Sequence, residues 1–287
     1  MLEKTIRLVI PDWQAGDNPV YELGAKVLKA IAPENKNQKT ITVKTVHSTK
    51  PQKMENGVRG QSAILKNLKN TKEVILKEKP DSIITFGGNC LVSQQPISYL
   101  NGIYGEKMGV IWIDAHPDIS TPDVYYNEHA MVVGNLLHCG DSVIQKEVNH
   151  PLKPNQIYYA GLQEVTPAEK DLLSQAGVEY KIEESHELDP AEVRKWIKKN
   201  NFEYLYIHLD VDVMDPSPSV FYATYFNNPE LKKIPENAVR GKIEREAIWR
   251  YIGDLSNEFD LAGFTIAEYL PWSAKQMLDL MKMTSIF

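Results

Sequence analysis

Trp112-Ile113-Asp114-Ala115-His116-Pro117-Asp118 and His208-Leu209-Asp210-Val211-Asp212-Val213-Met214-Asp215-Pro216 decide how this chain is read. Each follows a short apolar run and ends in a burst of carboxylates. A strand turns alternate side chains to one face, so an extended backbone would bring Asp114, His116 and Asp118 together, and Asp210 with Asp212. Five hard or borderline ligands on two strand ends are the donor set of a divalent metal site, with carboxylates enough to bridge two ions. Two such segments in one chain make a metal-dependent hydrolase the leading reading.

Outward from these segments, short apolar runs alternate with longer amphipathic stretches, the pattern of an α/β fold with a mostly parallel sheet. Strands are expected over Ile6–Ile10, Ile41–Val46, Ser82–Phe86, Gly109–Ile113, Gln156–Ala160, Tyr204–Leu209 and Leu261–Ile266, with Val178–Ile182 as a short edge strand. Helices are expected over Gly57–Lys77, Pro167–Gln175, Pro190–Asn200, Glu244–Asn257 and Ser273–Met283, with a further one after His129. Thr166-Pro167-Ala168-Glu169 and Asp189-Pro190-Ala191-Glu192 both supply a cap, a proline in the first turn and a glutamate to complement the helix dipole. With no repeat and no linker, the 287 residues read as one domain. The irregular stretch Pro216–Ile243 follows the second carboxylate cluster and is placed to face a substrate.

Bulk properties narrow the function classes. The chain is 43% hydrophobic and 24% charged, as in a soluble globular protein. Its net charge of −6 argues against nucleic acid as the main partner and is compatible with a cationic one. No apolar run approaches the length needed to span a membrane. Cys90 and Cys139 are too few for a disulfide framework, and the start of the chain has no apolar leader, so a cytoplasmic location is expected.

In a parallel α/β sheet, ligands collect at the carboxyl ends of the strands. Both carboxylate clusters are expected there, together with Phe86-Gly87-Gly88-Asn89-Cys90 and with Glu268 in Thr265-Ile266-Ala267-Glu268-Tyr269-Leu270-Pro271. Taken together, Asp114-Ala115-His116-Pro117-Asp118, Asp210-Val211-Asp212-Val213-Met214-Asp215-Pro216 and a glutamate three residues before a proline resemble the signatures of the arginase–agmatinase (ureohydrolase) superfamily. The glycine pair before Asn89-Cys90 is similar to that family's first motif in altered form. The resemblance covers roughly Ser82 to Pro271; the N-terminal part and the substrate loops match only in general layout.

The resemblance implies a three-layer α/β/α sandwich, shared with the deacetylases, around two manganese ions bridged by a hydroxide that attacks a guanidinium or amidine carbon. Asp114 and Asp210 would bridge the metals, His116 and Asp212 would complete one site, and Asp118 would help hold the other. Glu268 would pair with the cationic substrate, and His129 resembles the family's proton-shuttling histidine. A homo-oligomer is also implied. The chemistry is sound on its own terms: paired cations lower the pKa of bound water, and a near-neutral histidine can protonate a leaving amine.

Departures from the family pattern leave alternatives. Cys90 stands where the family has a histidine ligand, and Asn89 where it usually has an aspartate. A thiolate favours zinc or iron over manganese, so Cys90 either ligates a different metal, leaves one site short of a ligand, or packs inertly in a metal-free relative. His208 stands where a small hydroxyl residue is usual; it either hydrogen-bonds a ligand from beneath, compensating for Cys90, or is a core histidine bonded to backbone. Ser120 replaces an asparagine that reads the amino-acid end of arginine, leaving agmatine, guanidino acids or formimino compounds open. The alternatives to a guanidino or formimino hydrolase are an amidohydrolase with one zinc, resembling the deacetylases, and a metal-poor relative that acts by binding. His47, His150 and His186 are expected to be solvated, His138 and Cys139 to be a poor ligand pair, Asp215 to tie down a turn, and Trp112 and Trp272 to be core or cleft wall.

Overall fold

Alternation along the strands sorts the chain into two apolar layers. Val110 and Trp112 face one cluster of buried side chains, whereas Ile111 and Ile113 face the other; Tyr206 parts in the same way from Leu205, Ile207 and Leu209. A sheet apolar on both faces needs helices on both, and that is what a computed structural model of the chain shows for residues 4–47, 51–216 and 239–287.

The strands are β1 (Thr5–Ile10), β2 (Lys39–Thr42), β3 (Met54–Glu55), β4 (Val58–Arg59), β5 (Ser82–Gly87), β6 (Met108–Ile113), β7 (Ile157–Ala160), β8 (Tyr204–Asp210) and β9 (Asp260–Ala267). The helices are α1 (Val20–Ile31), α2 (Gln61–Glu78), α3 (Gln94–Tyr104), α4 (Val132–Leu136), α5 (Pro167–Ala176), α6 (Pro190–Asn200), α7 (Arg245–Glu258) and α8 (Ala274–Met281). Seven strands form one sheet in the order β2-β1-β5-β9-β8-β6-β7, every pairing parallel, with β3 and β4 a separate antiparallel hairpin. Ile64 and Leu68 of α2, Ile97 and Leu100 of α3 and Leu173 of α5 close one face. Leu28 of α1, Ile197 of α6, Trp249 of α7 and Met277 of α8 close the other. This is the expected three-layer α/β/α sandwich.

Several expectations need correction. The segment Val178–Ile182 forms no strand, and β7 pairs only with β6 among the described residues. A cavity of about 620 Å³ lined by Tyr158, Tyr180 and Trp196 lies beside β7 instead. The strand expected at Ile41–Val46 is Lys39–Thr42, in register with Ile6–Val9 of β1. The helix expected from Gly57 begins at Gln61, because Gly57 and Gly60 both take left-handed backbone (φ 82° and 70°) around the β3–β4 hairpin. Helices α1 and α3 were not expected. Pro96 and Gly102 break the helical pattern of α3, and its buried face carries Gln94, Gln95, Ser98 and Asn101. Gly24 does the same in α1, where an added Cβ would lie 1.8 Å from the Tyr269 carbonyl oxygen. Residues 217–238 of the Pro216–Ile243 connection lie outside the described residues. Its ends meet at the site, where Gly241 donates its N–H to the Asp212 carbonyl and Asp215 to that of Ile243.

Candidate metal centre

All seven sheet strands run the same way, so their carboxyl ends open on one side of the molecule, and the site is assembled from four of them. At the end of β5, Gly88 donates its N–H to the Ile10 carbonyl at 3.0 Å and accepts from the Glu268 N–H at 3.0 Å. It thereby ties the ends of β1, β5 and β9 together. A Cβ at Gly88 would sit 1.8 Å from the Asp12 carbonyl oxygen, so only glycine permits this approach. Asn89 then turns the chain: its Oδ1 accepts from the Leu91 N–H at 3.0 Å, and its Nδ2 donates to the Asp12 carboxylate at 2.7 Å. Asp12 is buried, and burial raises its carboxyl above the usual range against the hydrogen bonds of Asn89 and Asn67. An amide at position 89 therefore gives Asp12 a donor where a carboxylate would repel it. Beyond this turn the Cys90 thiol donates to Asp210 Oδ2 at 2.8 Å and lies 3.8 Å from Glu268 Oε1.

The strand alternation expected to align the aspartates stops earlier than the motifs do. β6 ends at Ile113, and Asp118 is carried back to the site by left-handed backbone (φ 45°). β8 ends at Asp210, and Asp212 lies in a tight helical turn, its N–H donating to Asp210 Oδ1 at 2.7 Å. The five residues nevertheless converge. Asp114 Oδ1 accepts from the His116 N–H at 2.7 Å, and Oδ2 from Trp112 Nε1 at 3.0 Å. His116 Nδ1 is 2.9 Å from Asp212 Oδ2 and 3.5 Å from Asp114 Oδ1. Asp118 Oδ2 is buried with no hydrogen-bond partner, as is Ser120 Oγ.

Across the cluster stands Glu268, itself in left-handed backbone (φ 59°). His129 Nδ1 is 2.7 Å from its Oε1, and the Tyr21 hydroxyl donates to its Oε2 at 2.5 Å. His208 lies beneath: its ring stacks on Trp112 with centroids 3.6 Å apart, and its Nδ1 is 2.7 Å from Ser93 Oγ. Its hydrogen bond thus goes to a side chain of the turn after Cys90, neither to a candidate ligand nor to backbone. His208 Nε2 is buried and unpartnered.

The electrostatics are those of crowded, buried anions. Burial raises Asp114 to about 7, with Asp212 adding to the effect and His116 opposing it. Burial and neighbouring carboxylates push Asp118 and Asp210 well up, and the Cys90 thiol with them. His116 is the exception: burial would lower it, but Asp212 and Asp114 raise it well above the ordinary value. Burial would likewise raise Asp212, yet the paired His116 holds it below the usual range. Burial alone keeps His208 neutral. Such a cluster is costly unless cations compensate it, and Asp118 Oδ2 and His208 Nε2 are buried without a hydrogen-bond partner. Among the described residues three sets have donor atoms within 4.8 Å of one another: Cys90, Asp114 and His208; Cys90, Asp210 and Glu268; and Asp114, His116 and Asp212. The donors fit divalent ions.

Three residues of this neighbourhood, Asp12, Tyr21 and Ser93, have no part in the sequence reading, and a fourth, Trp112, does more than that reading assigns it. Asp12 follows the apolar run Leu8–Ile10 by two residues, the same mark that singled out the two main motifs. Tyr21 and Ser93 carried no such mark, since their partners lie 247 and 115 residues away. Trp112 was read as core or wall and also bonds Asp114. His47 and His150 are exposed, His138 bonds the Val148 carbonyl, and His186 the Lys242 carbonyl, all away from the cluster.

Carboxylates, imidazoles and a thiol gathered at the carboxyl edge of a seven-stranded parallel sheet define a candidate metal-centre protein of the α/β/α class. The chain belongs to the arginase family, whose sequence profile, described as "Arginase family", matches residues 22–220. It is 25% identical over 198 residues to an arginase of Staphylococcus aureus (strain MRSA252), covering 66% of this chain and 65% of that one. It is 27% identical over 150 residues to an arginase of Neurospora crassa, covering 47% and 41%. The match thus spans less than two thirds of either relative. In fold, it is similar to Entamoeba histolytica arginase solved with L-ornithine (TM-score 0.81, 19% identity, 99% of this chain and 98% of that one). It is also similar to formimidoylglutamase of Bacillus subtilis (TM-score 0.64, 15% identity, 98% and 86%).

Proposed function

We propose that this protein is a metal-dependent hydrolase that cleaves a carbon–nitrogen bond in a small guanidino or formimino compound. The observation that carries the reading is the convergence of Asp114, Asp118, Asp210 and Asp212, all at most 5% exposed, opposite a Glu268 whose two oxygens are already oriented. Asp114 and Asp210 would be central among the residues holding divalent ions. His116 and Asp212 would complete one site, and Asp118, with its unpartnered oxygen, would serve the other. Manganese suits the carboxylate-rich half of this set. When bound, such ions supply an activated water at neutral pH and stabilise negative charge that develops on attack.

This chain's own residues do the rest. Glu268 offers a carboxylate to a planar cation, which paired hydrogen bonds would orient. Tyr21 fixes one of its oxygens, so the carboxylate needs no reorganisation when substrate arrives. His129, bonded to the other oxygen and partly exposed, is placed to pass a proton to a departing amine. Buried walls around the aspartates exclude bulk water, which strengthens each of these interactions.

Metal content and turnover test the reading. Protein purified without chelator, then loaded with manganese or zinc and freed of excess, should hold up to two ions per chain. It should release urea or formamide from at least one member of a panel of arginine, agmatine, guanidino acids and formimino acids. Failure to retain any divalent ion would sink the proposal. Retention of one ion, with turnover only of acylated amines, would replace it by an amidohydrolase.

A further inference from the structure

We infer that one half of the centre is a sulfur–nitrogen site in which Cys90 Sγ and His208 Nε2 both ligate the ion together with Asp114, selecting a zinc-class metal. This deepens the metal-dependent reading above and rests on it.

Three features carry the inference. First, His208 is aimed. Its ring is clamped on Trp112 at an interplanar angle of 11°, and its Nδ1 is held by Ser93 Oγ, so the remaining nitrogen has one direction in which to point. That nitrogen is buried and bonded to nothing, in a residue 0% exposed. An imidazole whose distal nitrogen is fixed by a hydrogen bond is how proteins present the other to a metal. Second, the His208 ring is not alone: one of its nitrogens, Cys90 Sγ and a carboxylate oxygen of Asp114 lie within 4.8 Å of one another. In a tetrahedral zinc site the sulfur and the nitrogen stand about 3.6 Å apart, so side-chain rotations would bring the set onto one ion.

Third, the two sets differ in the donor left free. Cys90 also approaches Asp210 and Glu268, whose two oxygens bond His129 and Tyr21. The Asp114 oxygens are bonded as well, by the His116 N–H and Trp112 Nε1, but that set brings in His208, which has a buried nitrogen without a partner.

The two halves of the centre then differ in kind. Asp114, His116 and Asp212 offer oxygens and one nitrogen, a set tolerant of manganese. Cys90, His208 and Asp114 offer a soft sulfur and a borderline nitrogen, which favour zinc, cobalt or ferrous iron over manganese. On ligation the Cys90 thiol releases its proton to solvent, and Sγ exchanges its hydrogen bond to Asp210 for the metal.

Cobalt is the probe. Full-length protein stripped by chelation is titrated with Co²⁺ and followed by absorption, beside Cys90→Ser, His208→Ser and, as a control for the exposed thiol, Cys139→Ser. The expected result is a thiolate-to-cobalt charge-transfer band in the wild type and in Cys139→Ser that is absent from Cys90→Ser. Zn²⁺ should abolish it and Mn²⁺ should leave it. His208→Ser should bind cobalt on the order of 10–100-fold more weakly, with altered ligand-field bands. If His208→Ser does not fold by circular dichroism, Ser93→Ala, which only frees the ring, must shift those bands.

Cobalt uptake without a charge-transfer band overturns the inference, as does wild-type affinity and spectrum in His208→Ser or an unshifted spectrum in Ser93→Ala. Those results leave guanidino or formimino hydrolysis standing where the substrate panel shows it. A charge-transfer band in protein that hydrolyses no member of the panel has the reverse meaning: the site stands and the proposed substrate class falls.

Discussion

Glu268 and Glu128 show how differently two buried acids behave in one molecule. Glu268 has both oxygens bonded, one by Tyr21 and one by His129. Replacing it with glutamine keeps an acceptor for Tyr21 but removes the charge, so kcat/KM for a guanidinium substrate should fall by about 2–5 kcal/mol equivalent, with metal content unchanged. Steady-state kinetics beside metal analysis checks this; loss of metal in that variant would instead make Glu268 a ligand. Glu128 is fully buried, one oxygen accepting from Asn135 and the other bonded to nothing. Burial raises its carboxyl well above the ordinary value, with Asp141 adding to the rise. A carboxyl whose folded pKa lies above its unfolded value of about 4.3 stabilises fully below that pH, and the contribution is lost as pH rises through the folded value. Glu128→Gln cannot ionise, so its Tm should match the wild type near pH 4 and exceed it increasingly toward alkaline pH. Each kcal/mol recovered is worth about 2–4 °C. Melts across pH that run parallel would refute the assignment.

At the scale of elements, the parts legible in the sequence were those written in local chemistry. Strand ends rich in carboxylate announced the site, and Thr166 and Asp189 announced helices α5 and α6 at the positions observed. Alternation stops at Ile113 and Asp210, however, so it accounts for only part of the convergence of the aspartates; Asp118 depends on a left-handed turn that no periodicity reveals. Helix α3 stayed hidden because its buried face is polar and carries a proline. The supports Tyr21 and Ser93 stayed hidden because their contacts exist only once distant strands pair. Two substitutions separate site-building elements from scaffold. Gly88→Ala drives a methyl into the Asp12 carbonyl and should cost about 3 kcal/mol or more while also lowering metal affinity. Thr166→Ala removes the α5 capping box and should cost about 1 kcal/mol with metal affinity untouched. Denaturant unfolding with a parallel metal titration reads both, and a Gly88→Ala variant with wild-type stability would contradict the close approach.

For the whole molecule, the sheet is the reason that remote segments form one centre. β5 and β9 are far apart in the chain, and β7 lies between β6 and β8, yet the order β5-β9-β8-β6 makes each pair neighbours. Their carboxyl ends therefore deliver Cys90, Asp114, Asp210 and Glu268 to one point. A metal at that point would crosslink the middle of the sheet and bind only the folded chain. Loading at about 100 times the dissociation constant should therefore add about 2.7 kcal/mol of stability. Calorimetric melting with and without chelator measures it, and an unchanged midpoint would count against any resident ion.

The Trp112–His208 stack has one more consequence. An indole lying 3.6 Å from an imidazole, its N–H on Asp114, is in electronic contact with the donors of the centre. Its excited state can be quenched by a neighbour that accepts an electron, and that tendency changes when the imidazole is protonated or coordinated. The centre therefore carries its own fluorophore. Occupancy should be readable in the emission of the native chain without a dye, and Trp112→Phe should silence that response while the other four tryptophans continue to report on the rest of the fold.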